Sequence, residues 1–185
     1  MSQYKIGIVV GSLRKESFNR KTANAIIELA PQNMSFEFLD IGQLPFFNQD
    51  LEDQPPQEWE DFRSKIKEMD AFLFFTPEYN RSIPGVLKNA IDVGSRPYGE
   101  NSWNDKPAGV VSVSISKISG LGANHHLRQS LVFVNMHTMA QPEAYIGDAA
   151  QLFDENGKLT QDDSKEFFIT FIKSFEQWIG NFVKK

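Results

Sequence analysis

Short runs of consecutive apolar residues alternate along the chain with longer segments in which apolar residues recur every third or fourth position. The short runs are rich in Ile, Val and Phe, as are strands that are covered on both faces of a parallel sheet. We predict strands at residues 4–10, 35–39, 71–75 and 108–115, and a short fifth strand between Thr138 and Ile146.

The longer segments have the spacing of helices that bury one face. They predict helices at residues 19–30, 57–69, 84–91 and 121–133, and a last helix after the sequence TQDD. Thr160 is expected to cap this last helix, and Asp162 and Asp163 suit its positively polarised N-terminus. Ser82 is expected to cap the helix that begins at Pro84.

Five alternations of strand and helix predict an α/β fold, a doubly wound parallel sheet with helices on both faces. No internal repeat, low-complexity segment or linker interrupts the pattern, so we expect residues 1–185 to form a single domain. In such folds the ligand binds beyond the carboxyl ends of the strands. The loops after the first, third and fourth strands are therefore the candidate site.

Composition narrows the range of functions. The formal net charge is -5 and there is no long basic run, so we expect no nucleic-acid partner. No run approaches the roughly 20 apolar residues of a membrane helix, and the N-terminal segment lacks a signal-peptide pattern. We therefore expect no membrane association and a cytoplasmic location. The chain has no cysteine, which excludes disulfides, thiolate metal sites and a cysteine nucleophile.

The first loop, GSLRKESFN, places many hydrogen-bond donors between a buried strand and a helix. Gly11 permits a sharp turn, Ser12, Ser17 and Asn19 offer side-chain donors, and Arg14 adds a permanent charge. With the free N–H groups of the helix, these donors suit a compact dianion such as a phosphate monoester. A solvated turn before a capped helix explains the same pattern about equally well. The glycine patterns of triphosphate and dinucleotide loops are absent.

The second loop, TPEYNRSIPG, follows the wholly apolar third strand. A rigid turn there would direct backbone polar groups into the cleft, with Tyr79 as a flat wall, which suits a planar ring with polar edges. An ordinary strand–helix turn, with Tyr79 only packing, explains the pattern as well. The third loop, SVSISKISGLG, ends in glycines at Gly120 and Gly122 and could close over the same ligand.

The segments GSLRKESFNRKTA, PEYNRSIPGVLKNAID, SRPYGENSW and HLRQSL resemble the NADPH-dependent FMN reductase family, which includes quinone, chromate and azo-dye reductases. The resemblance extends from about Lys5 to Ile146. It implies a flavodoxin-like fold with the sheet order 2-1-3-4-5 and a bound FMN. It also implies an oligomer, a homodimer or a homotetramer.

The resemblance implies three groups of FMN-binding residues. The phosphate would be held by Ser12, Arg14, Ser17 and Asn19. The isoalloxazine ring would be bordered by Pro77, Glu78, Tyr79, Asn80 and Ser82, with Ser114 and Ser116 near its other side. The third loop departs from the family at Lys117, where members commonly have glycine, and Ser119 and Gly120 stand for a Gly-Gly pair.

The implied activity is hydride transfer from NADPH or NADH to FMN, and from there to a small-molecule acceptor: a quinone, an azo dye, a metal oxyanion or free flavin. The flavin carries this chemistry, so no catalytic side chain is assigned. The alternatives are a flavodoxin-like electron carrier and a flavin-binding redox sensor without nicotinamide turnover. A basic side chain for the NADPH 2′-phosphate could come from Lys117, Arg81 or another subunit.

The histidines do not indicate a metal site. His125 and His126 are adjacent on a predicted helix and therefore point about 100° apart, and His137 stands alone. We expect structural or surface roles for all three. Trp103, in a polar loop, could be a wall of the flavin site, a subunit contact or a packing residue.

Overall fold

The computed structural model describes residues 3–184 and is built on a parallel sheet. Its strands are β1 (Tyr4–Val10), β2 (Met34–Phe38), β3 (Ala71–Thr76), β4 (Pro107–Val113), β5 (His137–Thr138) and β6 (Ala144–Ile146). They lie in the order β2-β1-β3-β4-β5, and β6 also pairs with β4. The predicted fold class and sheet order are confirmed, with one strand more than the five predicted.

Five α-helices cover the two faces of the sheet: α1 (Phe18–Glu28), α2 (Gln57–Glu68), α3 (Gly85–Gly94), α4 (Leu121–Phe133) and α5 (Asp162–Gly180). One core cluster joins α1 and α5 to the sheet through Ala23, Ile26 and Phe171. The other joins α2, α3 and α4 through residues such as Trp59 and Leu87. No helix in the described part of the chain is long and apolar enough to cross a membrane.

The predicted fifth strand is divided into β5 and β6. β5 pairs with the start of β4, at Pro107 and Ala108, whereas β6 pairs with its end, Val111 to Val113. The intervening segment contains Pro142, which has no N–H to donate to a ladder. The division keeps both segments on the same edge of β4.

Two predicted helix caps are wrong. α5 begins at Asp162, with Gln161 rather than Thr160 at the cap position and no side-chain cap bond. Thr160 instead donates its hydroxyl to the Leu152 carbonyl at 3.2 Å, because Phe153 and Leu159 pair as a small antiparallel bridge that turns Thr160 away from the helix. Asp162 and Asp163 do lie in the first turn, as predicted.

The helix after the second loop also lacks its predicted cap. α3 begins at Gly85 with Pro84 before it and no side-chain cap bond. Ser82 is held further back, where its hydroxyl lies 2.7 Å from Nδ1 of His126 on α4. The Ser82 side chain therefore connects the second loop to α4 and does not cap α3.

Trp103 is a packing residue. It is fully buried, donates its indole N–H to the Ile91 carbonyl at 3.1 Å, and meets Phe62 and Phe72 edge to face. Of the three roles open for Trp103 on the sequence, its burial and ring contacts support packing.

Candidate active site

The candidate site is a cavity of about 140 Å³ at the carboxyl ends of β1, β3 and β4. It lies where a parallel sheet is expected to place its ligand. The cavity is lined by Ser12, Arg14, Ser17, Phe18, Asn19, Pro77, Glu78, Tyr79, Val113, Ser114 and Ile115. The structure therefore brings together most of the residues predicted from three separate loops.

The first loop (residues 11–17) delivers the start of α1 to the cavity. Gly11 continues the sheet by donating its N–H to the Phe75 carbonyl at 2.8 Å. Ser17 then caps α1, its hydroxyl accepting from the Arg20 N–H at 3.3 Å. That bond leaves the hydroxyl proton free to donate. The N–H groups of Phe18 and Asn19, in the first turn, have no partner within the helix.

Asn19 carries a buried polar atom that nothing in the described chain satisfies. Its side chain is 4% exposed, and Oδ1 has no hydrogen-bond partner among residues 3–184. An unpartnered buried acceptor typically costs about 1–3 kcal/mol. Since Asn19 lines the cavity, a ligand with a donor can remove this cost.

Arg14 supplies the positive charge of the cavity. Its side chain is exposed at the mouth, and no acid within the described residues pairs with it. Together with the positive end of the α1 dipole, the guanidinium makes this end of the cavity suited to an anion.

The second loop (residues 77–84) contains a tight two-residue turn. Tyr79 and Ser82 exchange both backbone hydrogen bonds, at 2.9 and 3.0 Å, and between them Asn80 and Arg81 have φ of 51° and 65°. Positive φ at both central positions is typical of a type I′ turn. The turn leaves Tyr79 about half exposed beside the cavity.

Glu78 ties the second loop to α4. One carboxylate oxygen accepts from the Ala123 N–H in the first turn of α4 at 3.0 Å, where the helix dipole favours a negative charge. The other oxygen accepts from Arg81 at 3.1 Å. Both oxygens are thus engaged within the protein, and the Ser82–His126 contact holds the same loop at a second point.

The third loop (residues 114–120) is fastened by its own serines. Ser114 Oγ accepts from the Ser116 N–H at 3.1 Å, and Ser116 Oγ accepts from the Ile118 N–H at 3.3 Å. Ser119 donates its hydroxyl to the Lys117 carbonyl at 3.0 Å. These short-range bonds specify the path of the loop past the cavity.

Three predicted site residues do not line the cavity: Asn80, Ser82 and Ser116. Asn80 lies at the exposed tip of the turn, and the hydroxyls of Ser82 and Ser116 are directed to His126 and to the Ile118 N–H.

Sequence reasoning missed Phe18, Val113 and Ile115 as lining residues. The available signal was position, since each is next to a predicted binding residue.

The histidines lie outside the cavity lining. His125 Nε2 is 3.1 Å from the Tyr145 hydroxyl, and His137 stacks on Phe182 with ring centroids 4.1 Å apart. Burial, followed by a hydrogen bond with Glu143, raises the pKa of Tyr145 to about 12. Among residues 3–184 there is no group of three or more His, Cys, Asp or Glu that could hold a metal ion.

Comparison with known proteins identifies the family. The model of the family described as NADPH-dependent FMN reductase matches residues 4–151. A quinone reductase from Pseudomonas putida is 56% identical over 181 residues, covering 97% of each chain. A 2-hydroxy-1,4-benzoquinone reductase from Burkholderia sp is 41% identical over 175 residues, covering 95% of this chain and 96% of that protein.

A solved structure agrees with this result. FerB, a flavoenzyme NAD(P)H:(acceptor) oxidoreductase from Paracoccus denitrificans, is 39% identical and superposes with a TM-score of 0.91, covering 97% of this chain and 98% of its own. The chain therefore belongs to the NADPH-dependent FMN reductase family.

Proposed function

We propose that this protein is an FMN-dependent NAD(P)H oxidoreductase whose acceptor is a quinone. The observation that carries the proposal is the anion-binding end of the cavity, formed by Arg14 and the start of α1, with the unpartnered acceptor Oδ1 of Asn19 also in the lining residue set. Family membership over most of the chain supports it, as does a near full-length relative named as a quinone reductase. Azo dyes, metal oxyanions and free flavin are further acceptors of the kind that the family reduces.

The residues of the first loop fit the phosphate end of FMN. Arg14 would pair with the phosphate, and the N–H groups of Phe18 and Asn19 with the Ser12 and Ser17 hydroxyls would donate to it. Asn19 Oδ1 would accept from a hydroxyl of the ribityl chain, which removes its desolvation cost.

The second and third loops would border the isoalloxazine ring. Pro77, Tyr79, Ser114 and Ile115 line the cavity beyond the phosphate end. FMN held there would supply the redox chemistry, hydride transfer from a nicotinamide and reduction of the acceptor. The protein orients the ring between these walls, and Glu78 contributes by holding the second loop against α4.

Asn80, Ser82 and Ser116 have a different proposed role from the one that the resemblance implies. The side chains of Ser82 and Ser116 fasten the second and third loops without lining the cavity, and Asn80 takes one of the two positive-φ positions of the turn. We therefore propose that they position the residues that contact the flavin.

We also propose that the chain is one domain that assembles as a homodimer or homotetramer in the cytoplasm. The two core clusters pack on opposite faces of one sheet, which supports one folding unit. The exposed Phe133, 90% accessible, and its neighbour Val132 offer an apolar surface for assembly. A cytoplasmic location matches the compartment in which NADPH and NADH are available.

The test is a visible spectrum of the purified protein with FMN, followed by anaerobic addition of NADPH or NADH and then of benzoquinone. The proposal predicts a bound-flavin absorbance that bleaches on mixing with nicotinamide and recovers with quinone. Bound flavin that nicotinamides leave oxidised would instead identify an electron carrier or sensor. A protein that binds no flavin would contradict the assignment of the cavity.

A further inference from the structure

Lys117 lies on the third loop, two positions after Ile115, which lines the cavity. Its carbonyl accepts from the Ser119 hydroxyl, and Gly147 packs beneath the loop, so closely that a Cβ there would lie 2.5 Å from Ser119 Oγ and 3.5 Å from the Lys117 Cα. Ser119 and Gly120 follow with φ of 61° and 73°, which reverses the chain. The backbone of Lys117 is thus anchored while its side chain is exposed to solvent.

Lys117 is a cation without a partner. Its ammonium makes no ion pair or hydrogen bond within the described chain. Arg81, in the second loop, pairs with Glu78 at 3.1 Å. Of the two basic residues that the sequence offered for an anionic co-substrate, Lys117 is the one whose charge is not already used.

The position of Lys117 differs from that of the phosphate end. Arg14 follows β1 and Lys117 follows β4, and β3 lies between these two strands. Neighbouring strands are about 4.8 Å apart, so the two loops leave the sheet roughly 10 Å apart. This edge of the sheet therefore carries positive charge at two separate places: Arg14, which lines the cavity and is assigned to the FMN phosphate, and Lys117, two positions after the lining residue Ile115.

We propose that Lys117 binds the 2′-phosphate of NADPH and gives the protein a preference for NADPH over NADH. The inference rests on the proposed function, because it requires a nicotinamide to reach the flavin from the side of the third loop. A lysine ammonium is suited to this ligand, since it pairs with a phosphate as a point charge and needs no fixed orientation. The serine bonds of the loop reduce the entropy lost when the pair forms.

The test compares kcat/KM for NADPH and for NADH with benzoquinone, an uncharged acceptor, at low ionic strength. Lys117→Met is expected to lower kcat/KM for NADPH roughly two- to fivefold, the range for an exposed ion pair, and to leave kcat/KM for NADH unchanged. Lys117→Arg is expected to keep the preference. Inhibition by 2′,5′-ADP should weaken in Lys117→Met, whereas inhibition by 5′-AMP should not.

Two further variants separate the explanations. Lys173→Met removes the same charge from the exposed side of α5 and is expected to leave both nicotinamides unaffected. Loss of the NADPH preference in Arg81→Met, with the preference retained in Lys117→Met, would overturn the inference. An equal loss for NADPH and NADH in Lys117→Met would also overturn it, because it would mean that the residue only shapes the loop.

The outcome for the unmodified protein distinguishes this inference from the proposed function. If NADPH and NADH both reduce the bound flavin and Lys117→Met keeps the original ratio, only the role of Lys117 is wrong. If neither nicotinamide reduces the flavin, the oxidoreductase assignment and the role of Lys117 are wrong together.

Discussion

Arg14 illustrates how much of the proposed cofactor affinity one side chain can carry. Because its guanidinium is exposed at the mouth of the cavity, removing it should not disturb the core. A charge-assisted hydrogen bond to phosphate contributes about 1.5–3 kcal/mol. We expect Arg14→Ala to weaken FMN binding by about tenfold or more, measured by quenching of flavin fluorescence.

Riboflavin and Lys15 provide the controls for this result. Riboflavin lacks the phosphate, so its affinity should be the same in Arg14→Ala and in the unmodified protein. Lys15→Ala removes a neighbouring exposed charge that does not line the cavity, and should change FMN affinity much less. Unchanged FMN affinity in Arg14→Ala would show that the FMN phosphate does not bind at the first loop.

Tyr145 provides a test of local electrostatics. Burial, then the nearby Glu143, raises the pKa of its hydroxyl to about 12. A phenol with the ordinary pKa of 10.0 would be half ionised at about pH 10, whereas the Tyr145 hydroxyl should still be almost fully protonated there. We expect the difference in phenolate absorbance between the unmodified protein and Tyr145→Phe to be small at about pH 10.

The sign of the effect on stability follows from the raised pKa. The folded state holds the hydroxyl proton more tightly than the unfolded state, so this contribution is fully present below pH 10 and is lost as the pH rises through about 12. Half of the full phenolate absorbance of Tyr145 near pH 10, in a protein with a native circular dichroism spectrum, would contradict the raised pKa of this residue.

At the scale of secondary-structure elements, one ion pair joins the segment before α2 to the segment after α3. Arg96 binds Glu52 through two hydrogen bonds, at 2.5 and 2.6 Å, and the Glu52 side chain is only 16% exposed. The acidic residues near Glu52 suggest a solvated loop, but the arginine that covers Glu52 is 44 positions away. The hydrogen bond from Arg96 holds the pKa of Glu52 below its usual value of 4.5.

This pair predicts a pH-dependent contribution to stability. Because the pKa of folded Glu52 is lowered, the contribution is present above pH 4.5 and is lost as the pH falls through the lower, folded value. We expect Glu52→Gln to have a lower urea midpoint than the unmodified protein at about pH 7, and the gap to narrow below pH 4.5. Asp53→Asn, at an exposed neighbour, should show no such gap.

The elements themselves were predictable where one physical signal dominated. β1 and α4 have the predicted boundaries, since Gly11 follows the end of β1 and Gly120 precedes the start of α4. The interruption between β5 and β6 and the failure of the two caps were not predictable. They depend on pairing with β4, on the Phe153–Leu159 bridge and on the position of His126, all contacts between residues distant in sequence.

The site was predictable in outline for a related reason. Parallel strands end at one edge, so polar loops after β1, β3 and β4 must meet there. The directions of individual side chains were not, because the hydroxyls of Ser82 and Ser116 are engaged by His126 and Ile118. Ile115 was missed because its apolar side chain was attributed to the fourth strand, whereas β4 ends at Val113.

For the whole molecule, the cavity is supported by both layers of the fold. α1 and α5 pack on one face and α2, α3 and α4 on the other, and the cavity takes residues from α1 and from the loops that lead to α3 and α4. A ligand bound there contacts elements of both layers. Its binding energy therefore stabilises the folded state as a unit, provided that the unfolded chain does not bind it.

Thermal unfolding measures this coupling directly. At free FMN about 100 times its dissociation constant, binding stabilises the folded state by about 2.7 kcal/mol, which for a domain of this size raises Tm by about 5–10 °C. In Arg14→Ala a tenfold weaker affinity leaves about 1.4 kcal/mol of that at the same FMN concentration, roughly half of the shift. Riboflavin should shift Tm equally in both proteins. A full FMN shift in Arg14→Ala would mean that the phosphate is held elsewhere, and no shift in either protein would mean that the cavity does not bind FMN.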